Sequence, residues 1–236
     1  MWICDVNGVL IDSTAVVRAA FAATAARYGL SFDEADFRRV KGFPVIEAYR
    51  RLDPAGHAPA RCAFHLAYVR EHIKEIRAFQ HVPEVLAAAK AAGVRIGAAT
   101  SHGETAEACL VNNGLYQFID CLVTQEEVKR SKPFPDAILR VLTLLGVQAE
   151  SRDIAAALCV GDAVVDIEAG KAAGVRTIGV TYGVSSPAEI IGAEPDDTIH
   201  SFLEMRRFLR LPTPKYSPWR SRSSLSHLDG RVGVKP

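Results

Sequence analysis

The sequence predicts an α/β fold, a doubly wound parallel sheet interrupted by an inserted all-helical cap. Short apolar runs alternate with segments of helical periodicity along most of the chain, which is typical of parallel strands joined by helices. The apolar runs are continuous rather than alternating with polar residues, as expected for strands that are buried on both faces. One long segment breaks the alternation because it contains helical patterns and no convincing strand, and this segment predicts the cap.

Each element of the sheet is predicted from its own apolar run. The predicted strands cover residues 2–5, 94–100, 118–123, 155–161 and 176–180, and a weaker run predicts a strand at 197–199. The helical patterns between them cover residues 82–92, 104–112, 135–145 and 164–173. A chain in which strands and helices alternate in this way is expected to form a single sheet covered on both faces.

The cap is predicted to span residues 15–81, between core segments 1–14 and 82–211. Apolar residues recur at helical spacing in two stretches, which contain Val17, Phe21, Ala25 and Tyr28 in the first and Cys62, Leu66, Val69, Ile73 and Ile76 in the second. We expect hinges near Asp12–Ser13 and at residues 79–83. Asp12–Ser13 is also a good N-cap pair for the first cap helix.

The composition argues against several classes of protein. A formal net charge of +1 over 236 residues gives no argument for binding to nucleic acid or to a membrane surface. The longest apolar runs, such as residues 154–160, are too short to cross a bilayer. Met1 leads directly into the first strand without the pattern of a signal peptide. Five cysteines without a C-x-x-C spacing indicate free thiols and therefore the cytoplasm, and we expect Cys4 and Cys159 to pack in the core.

The C-terminal segment 212–236 differs in composition from the rest of the chain. It is rich in Pro and Ser and carries five Lys or Arg residues against one Asp. This composition is typical of a solvated tail. A role in forming a homodimer stays open, whereas one short basic stretch is weak evidence for nucleic acid.

Four polar motifs follow one another in a fixed order. They are Asp5-x-Asn7-Gly8, Thr100–Ser101, Lys132–Pro133, and Gly161–Asp162 followed by Asp166. Each motif alone is common in turns and helix caps. Because each lies at the carboxyl end of a predicted strand or in a loop at the same sheet edge, the four together predict one site.

These motifs resemble those of the haloacid dehalogenase superfamily, in the branch of phosphoglycolate-phosphatase-like and phosphoglucomutase-like hydrolases with a helical cap after the first motif. The resemblance covers roughly residues 2–210, and the run GVTYGVSSPAEI after the fourth motif fits the same branch. It implies a Rossmann-like core, a cap that closes over the site, Mg²⁺ as cofactor and a small phosphorylated substrate. The tail after Pro212 is not part of it.

The resemblance also implies a role for each motif. Asp5 would be the nucleophile that forms an aspartyl-phosphate. Asp5, Asp162 and the backbone carbonyl of Asn7 would bind Mg²⁺. Asp166 would bind the ion or orient its waters, although a simple helix-face carboxylate is a fair alternative for this residue. Lys132 would neutralise phosphate charge and hold Asp5 ionised.

Further residues are expected to contact the substrate. The Thr100 hydroxyl, the amides near Ser101 and His102, and the turn at Gly8 would hold phosphoryl oxygens, helped by the N-terminus of the following helix. Thr100 acting only as a helix cap is the alternative. Lys41 and Gly42 correspond to the cap loop that touches substrate in this branch, and a solvated basic helix end is an equal alternative.

Asn7 departs from the pattern of the resemblance. In relatives that hydrolyse phosphate esters this position is an Asp, which protonates the leaving oxygen and then deprotonates the attacking water. An amide does neither, and general acid–base catalysis is worth roughly 10²–10⁴-fold. The metal site is expected to survive, because residue 7 contributes its backbone carbonyl.

Four explanations of Asn7 stay open. Asn7 is an engineered trap, or it belongs to a natural enzyme whose leaving group needs no proton, such as an acyl phosphate. Alternatively, the chain is a catalytically weak phosphate-binding or regulatory protein. The last explanation, chemistry like that of phosphonoacetaldehyde hydrolases, fits poorly, because the position of their Schiff-base lysine is Val45 here.

Overall fold

The computed structural model describes residues 1–54, 56–101, 103–147 and 154–210. Its strands are β1 (Trp2–Cys4), β2 (Ile11–Asp12), β3 (Arg77–Ala78), β4 (Ile96–Thr100), β5 (Cys121–Thr124), β6 (Leu158–Gly161), β7 (Arg176–Val180) and β8 (Asp197–Ile199). Its α-helices are α1 (Thr14–Tyr28), α2 (Glu34–Val40), α3 (Val45–Leu52), α4 (Ala58–Glu71), α5 (Val82–Ala91), α6 (Gly103–Asn112), α7 (Asp136–Leu144), α8 (Val164–Ala172) and α9 (Pro187–Gly192).

A six-stranded parallel sheet in the order β5-β4-β1-β6-β7-β8 forms the centre of the molecule. This is the predicted Rossmann-like, doubly wound arrangement. Strand β1 lies in the middle and pairs with β4 on one side and β6 on the other. Because the connections run in opposite directions on the two sides of β1, a crevice is expected at the carboxyl end of this strand.

Both faces of the sheet are buried, as the continuous apolar runs predict. Trp2 and Cys4 pack into one hydrophobic cluster, whereas Ile3 between them packs into the cluster on the opposite face. Cys159 belongs to the second cluster, so both cysteines that were expected in the core are there. Burial raises the pKa of the Cys159 thiol to about 12, which keeps it protonated and unreactive.

Helices α1 to α4 form the insertion between β2 and β3, with their own hydrophobic cluster around Phe21, Phe37 and Tyr49. The strands on either side of the insertion pair with each other antiparallel, Ile11 opposite Ala78 and Asp12 opposite Arg77. The prediction that residues 15–81 contain no strand was therefore wrong at β3. A two-residue strand carries too little apolar pattern to be recognised, and its pairing depends on a partner 67 positions away (Ile11 to Ala78).

Three local predictions need correction. The second predicted helical stretch of the insertion corresponds to α4. It ends at Glu71 rather than reaching Ile76, because the chain turns through Ile73–Glu75 to enter β3. Strands β5 and β6 begin later than predicted, since short 3₁₀ turns occupy Tyr116–Phe118 and Ile154–Ala156. Ser13 is the N-cap residue of α1 but makes no capping bond with its side chain, and Asp12 Oδ1 instead accepts a hydrogen bond from the Thr14 amide at 3.2 Å.

Two further predictions stand as follows. Among the described residues, no helix is long and apolar enough to cross a membrane. The tail at 212–236, with its possible role in a homodimer, lies outside the described residues.

Candidate active site

Asp5 stands at the centre of the carboxyl edge of the sheet, directly after β1. Its main-chain N–H donates to the Val160 carbonyl of β6 at 2.9 Å, which fixes its position at the end of the pairing between these strands. Its side chain is only 11% exposed. The strand therefore presents one nearly buried carboxylate to the crevice that the topology creates.

The chain after Asp5 turns tightly through Asn7 and Gly8. Asn7 forms an isolated bridge with Ile11, and the Gly8 N–H donates to the Ile11 carbonyl at 2.8 Å. Gly8 has a φ of +86°, and a Cβ atom at this residue would lie 1.9 Å from Asp162 Oδ2. Only glycine lets the main chain of this turn pack against the Asp162 carboxylate.

Asp162 and Asp166 come from the end of β6 and the first turn of α8. Asp162 Oδ2 accepts a hydrogen bond from the Val184 N–H at 2.7 Å, and Asp166 Oδ2 accepts one from the Ala163 N–H at 3.1 Å. Oxygen atoms of Asp5, Asp162 and Asp166 lie within 4.8 Å of one another. Three buried carboxylates at this separation are a donor set suited to a hard cation such as Mg²⁺.

Lys132 is the buried counter-charge of this cluster. Its Nζ donates to Asp5 Oδ1 at 2.8 Å and to the Ala99 carbonyl at 2.8 Å, and it lies 2.6 Å from Asp166 Oδ1. Burial alone would lower the pKa of this lysine, but Asp166 and Asp5 outweigh that effect and raise the pKa above its usual value. Lys132 is therefore charged at neutral pH and bridges two of the three carboxylates.

One lysine does not compensate three carboxylates. Burial raises the pKa of Asp5 to about 6; Lys132 opposes this rise and Asp166 adds to it. Burial, followed by the charges of Asp166 and Asp5, also raises the pKa of Asp162 well above its usual value. The cluster thus has a surplus of negative charge that a divalent cation would neutralise, so the residues fit Mg²⁺.

A cavity of about 60 Å³ lies between the carboxylates and the helical insertion. Core residues line its floor, and residues of α1, α2 and the following loop line its roof. The lining residues include Asp5, Asn7, Gly8, Ser13, Thr14, Val17, Phe21, Phe37, Val40, Lys41, Gly42, Phe43, Ser101, Asp162, Ala163, Val165, Asp166 and Val184. The roof is mostly apolar, with Lys41 as its one cationic residue among the described lining residues.

Lys41 connects the roof to the core. Its Nζ lies 2.7 Å from Glu189 Oε2 and 3.4 Å from the Val184 carbonyl, and its side chain is 13% exposed. Hydrogen bonds from Lys41 first, and then from Ser186, lower the pKa of the half-exposed Glu189 to about 2. This ion pair spans from the end of α2 to α9.

Asn7 offers an unused donor to the cavity. Its Nδ2 atom is buried and has no hydrogen-bond partner among the described residues. Val45 is buried in the cluster of the insertion, so an alkyl side chain occupies the position that corresponds to a Schiff-base lysine.

Most predicted site residues meet at this cavity. Asp5, Asn7, Gly8, Lys41, Gly42, Ser101, Asp162 and Asp166 all line it, and Lys132 contacts two of these residues from behind. Thr100 is buried at the end of β4, next to Ser101, but is not among the lining residues. His102 lies outside the described residues.

The sequence did not reveal several residues that shape the site. Gly183 packs so closely on Asp162 that a Cβ atom would lie 2.2 Å from its Cβ, and Val184 then donates to the same carboxylate. Apolar residues such as Phe21 and Val40 indicate that their helices have a buried face. The sequence pattern does not indicate that this face forms the roof of a cavity. Two signals were present in the sequence: the run GVTYGVSSPAEI contains both Gly183 and Val184, and Gly183 lies three residues after a predicted strand, where a glycine indicates close approach.

Comparison with protein families gives one model over most of the chain. The model described as haloacid dehalogenase-like hydrolase matches residues 2–180. Pyrophosphatase PpaX of Oceanobacillus iheyensis is 25% identical over 202 residues, covering 85% of this chain and 92% of that protein. Pyrophosphatase PpaX of Bacillus velezensis is 29% identical over 195 residues, covering 81% and 88%.

Solved structures share the fold. CbbY from Rhodobacter sphaeroides, determined in complex with phosphate, superposes with a TM-score of 0.76 at 24% identity, covering 89% of this chain and 98% of that one. A predicted phosphoglycolate phosphatase from Haemophilus somnus gives a TM-score of 0.75 at 18% identity, covering 88% and 96%. At these identities the superpositions show a common architecture.

Proposed function

The chain belongs to the haloacid dehalogenase-like hydrolases and is a phosphatase-type enzyme, and we propose that it acts with Mg²⁺ on a small phosphorylated molecule through a phosphoryl group carried on Asp5. The observation that carries this proposal is the Asp5 carboxylate itself. It stands at the floor of a roofed cavity, 2.8 Å from a buried lysine and close to two further carboxylates.

One oxygen of the Asp5 carboxylate would attack phosphorus. Oδ1 accepts a hydrogen bond from Lys132, and we assign bond formation with phosphorus to Oδ2. The product of this step is an aspartyl-phosphate, and water then releases inorganic phosphate and restores the carboxylate. Lys132 would help to keep Asp5 ionised and would attract the phosphoryl dianion.

Mg²⁺ would be held by Asp5, Asp162 and Asp166, with the backbone carbonyl of Asn7 as a fourth ligand. When bound, the ion would neutralise charge on the transferring phosphoryl group. The Ser101 region and Thr100 remain our candidates for binding phosphoryl oxygens at the start of α6. Lys41 and Gly42 are our candidates for contact with the leaving group from the roof.

The insertion would act as a cap that excludes water and selects substrate. Its roof residues reach the cavity, and the Lys41–Glu189 pair joins it to the core. The boundaries 1–14, 15–81 and 82–211 remain our division of the chain into core, cap and core. We propose a cytoplasmic location, supported by cysteines that are all free. A homodimer stays a prediction.

Phosphate release from a panel of small phosphorylated compounds tests the function. Pyrophosphate is the first to assay, because the PpaX relatives are named pyrophosphatases. We expect Mg²⁺-dependent multiple turnover that Asp5→Asn abolishes. Glu168→Gln is the matched control, since Glu168 is an exposed carboxylate on the same helix as Asp166. Turnover that survives Asp5→Asn would contradict the mechanism.

Asn7 favours one second candidate, a phosphate-binding protein with little turnover. Such a protein would bind phosphate and Mg²⁺ through the same cluster but release no product. Two results would support this candidate. Calorimetric titration would show binding of both ligands, and phosphate release would stop below one phosphate per chain. Repeated turnover of any compound in the panel would exclude it.

A further inference from the structure

Asn7 lies two residues after the proposed nucleophile, in the turn that follows β1. The bridge from Asn7 to Ile11 and the Gly8–Ile11 hydrogen bond at 2.8 Å fix the turn on both sides of the side chain. The buried Nδ2 atom has no partner in the described structure and the residue lines the cavity. An amide at this point donates a hydrogen bond but neither gives up nor accepts a proton at neutral pH.

The described lining residues contain no alternative proton donor poised at the leaving group. Three of the ionisable residues are Asp5, Asp162 and Asp166, which the proposed function uses as nucleophile and metal ligands. The fourth is Lys41, whose Nζ is engaged by Glu189 at 2.7 Å. The hydroxyls of Ser13, Thr14 and Ser101 are far weaker acids than a carboxylic acid.

The lack of a proton donor among the described lining residues would distinguish between classes of phosphoryl compound. An alkyl phosphate ester expels an alkoxide, which is strongly basic and needs a proton as it leaves. An anhydride, whether pyrophosphate or an acyl phosphate, expels a phosphate or carboxylate that is stable as an anion. The difference in leaving group does not affect hydrolysis of the aspartyl-phosphate. This intermediate is itself an acyl phosphate, and its leaving group is the Asp5 carboxylate whichever substrate formed it.

We propose that this site is selective for small phosphoric anhydrides, an inference that rests on the proposed function. An Asp5 oxygen forms a bond to phosphorus while the bond from phosphorus to the bridging oxygen breaks, and the leaving group departs as an anion with the electron pair. Water then attacks phosphorus while the bond from phosphorus to the Asp5 oxygen breaks; the electron pair of that bond returns to the Asp5 carboxylate, and both hydrogens of the water stay on the phosphate that is released. No proton passes through residue 7 in either step.

The roof agrees with this class of substrate in size and charge. A cavity of about 60 Å³ holds on the order of four to six water-sized groups, which suits a phosphoryl group with a compact leaving group. Lys41, whose ammonium group is paired with Glu189, is the one cation among the described lining residues of the roof, where an anionic leaving group would lie. The surrounding Val17, Phe37 and Phe43 offer no hydrogen bonds to a polyhydroxylated leaving group.

Leaving-group dependence tests the proposal. The purified chain and Asn7→Asp are assayed with Mg²⁺ on pyrophosphate, acetyl phosphate, p-nitrophenyl phosphate, phenyl phosphate and glycerol phosphate. We expect kcat/KM of the unsubstituted chain to fall steeply as the leaving group becomes more basic. Asn7→Asp should raise kcat/KM for glycerol phosphate by roughly 10²–10⁴-fold but change it less than tenfold for the two anhydrides.

Three outcomes separate the possibilities. Equal gains on esters and anhydrides in Asn7→Asp, or similar kcat/KM of the unsubstituted chain on both classes, would overturn the selectivity while leaving the phosphatase function intact. No Asp5-dependent turnover by either protein would overturn the function itself and the proposal with it. Asn112→Asp is the control for added charge, because Asn112 is exposed on α6, and it should match the unsubstituted chain.

If Asn7→Asp does not fold, the unsubstituted chain still decides the question through its own leaving-group dependence. Asn7→Ala gives a second comparison, because it removes the amide without adding an acid. It should retain the same steep dependence on leaving-group basicity. A flat dependence in either protein would contradict the proposal.

Discussion

At the scale of single residues, the charge balance around Asp5 dominates the site. Asp5 contacts Lys132, which is shared with Asp166, so no carboxylate of the cluster has a cation to itself among the described residues. A buried charge that is incompletely compensated costs stability. The metal-free protein should therefore be less stable at neutral pH than its packing alone would make it.

This charge imbalance predicts that the stability of the metal-free protein, measured in the presence of a chelator, depends on pH. The pKa of Asp5 is about 6 in the folded chain against a usual value of 3.8, so the folded state holds this proton more tightly than the unfolded state. The free energy of unfolding should therefore fall by roughly 1–3 kcal/mol as pH rises through that interval. Urea unfolding of the metal-free protein at a series of pH values measures this fall.

Asp5→Asn is the comparison for this prediction. The variant lacks the titrating group, so its free energy of unfolding should decline less between the same pH values and should exceed that of the parent at neutral pH. Saturating Mg²⁺ should reduce the decline in the parent. A free energy of unfolding that rises equally with pH in both proteins would contradict the prediction.

At the scale of single elements, the turn between β1 and β2 makes the site possible. Its geometry depends on Gly8, which combines a φ of +86° with a main chain packed against Asp162. Gly93 has a similar φ of +77° after α5, but nothing lies within 4 Å of a Cβ built there. The two glycines therefore separate the cost of the backbone conformation from the cost of the contact.

Gly8→Ala and Gly93→Ala form a matched pair. Gly93→Ala should lower the free energy of unfolding by about 1–2 kcal/mol, the cost of a left-handed conformation in a residue with a Cβ atom. Gly8→Ala should lower it by about 1–3 kcal/mol more, because the Asp162 carboxylate must move. It should also weaken Mg²⁺ binding, which Gly93→Ala should not; equal Mg²⁺ affinity in the two variants would contradict this account.

The elements also show how far the sequence determines the fold. Strands β1, β4, β6 and β7 follow from continuous apolar runs, because burial on both faces leaves little room for polar side chains. The β2–β3 pair could not be predicted, because its short strands are specified by their pairing rather than by composition. Helix α4 ends before Ile76 for the same reason, since the chain must reach β3.

The candidate site, like the fold, could be predicted only in part from the sequence. Asp5, Asp162 and Asp166 could be placed together because parallel strands end at one edge of a sheet. The contact from Val184 to Asp162, the Lys41–Glu189 pair and the apolar roof could not, because they depend on how the insertion packs against the core. Sequence patterns record the periodicity of each helix but not the angle at which it meets another unit.

At the scale of the whole molecule, a single described ion pair joins the end of α2 to α9. Lys41 and Glu189 are separated by 148 residues in sequence and by 2.7 Å in space. Glu189 is about half exposed, so the pair adds little to global stability. Its expected contribution is to the closed position of the cap.

Glu189→Gln tests this contribution. The variant should lower the free energy of unfolding by less than about 1 kcal/mol while raising KM severalfold, because a less firmly closed cap binds substrate more weakly. Amide hydrogen exchange at residues 41–43 and 184–186 should become faster. The same proteins should converge in KM at high salt, where the ion pair of the parent is screened.

Glu47→Gln is the control for the loss of an ion pair within the insertion. Glu47 pairs with Arg50 and Arg51 on its own helix. Its substitution should leave KM and the exchange rates at residues 41–43 unchanged. Equal effects of the two substitutions would mean that the Lys41–Glu189 pair does not hold the cap.

The pairing of β2 with β3 links the position of the insertion to the turn beside the nucleophile. Ile11 faces Ala78 across this ribbon and also bridges to Asn7, so one residue belongs both to the attachment of the insertion and to the turn beside the nucleophile. A swing of the insertion would bend the ribbon and displace the turn together. The alignment of the turn beside the nucleophile and the exclusion of solvent from the cavity would then occur together. An enzyme whose insertion is open would be inactive and would not catalyse unproductive hydrolysis.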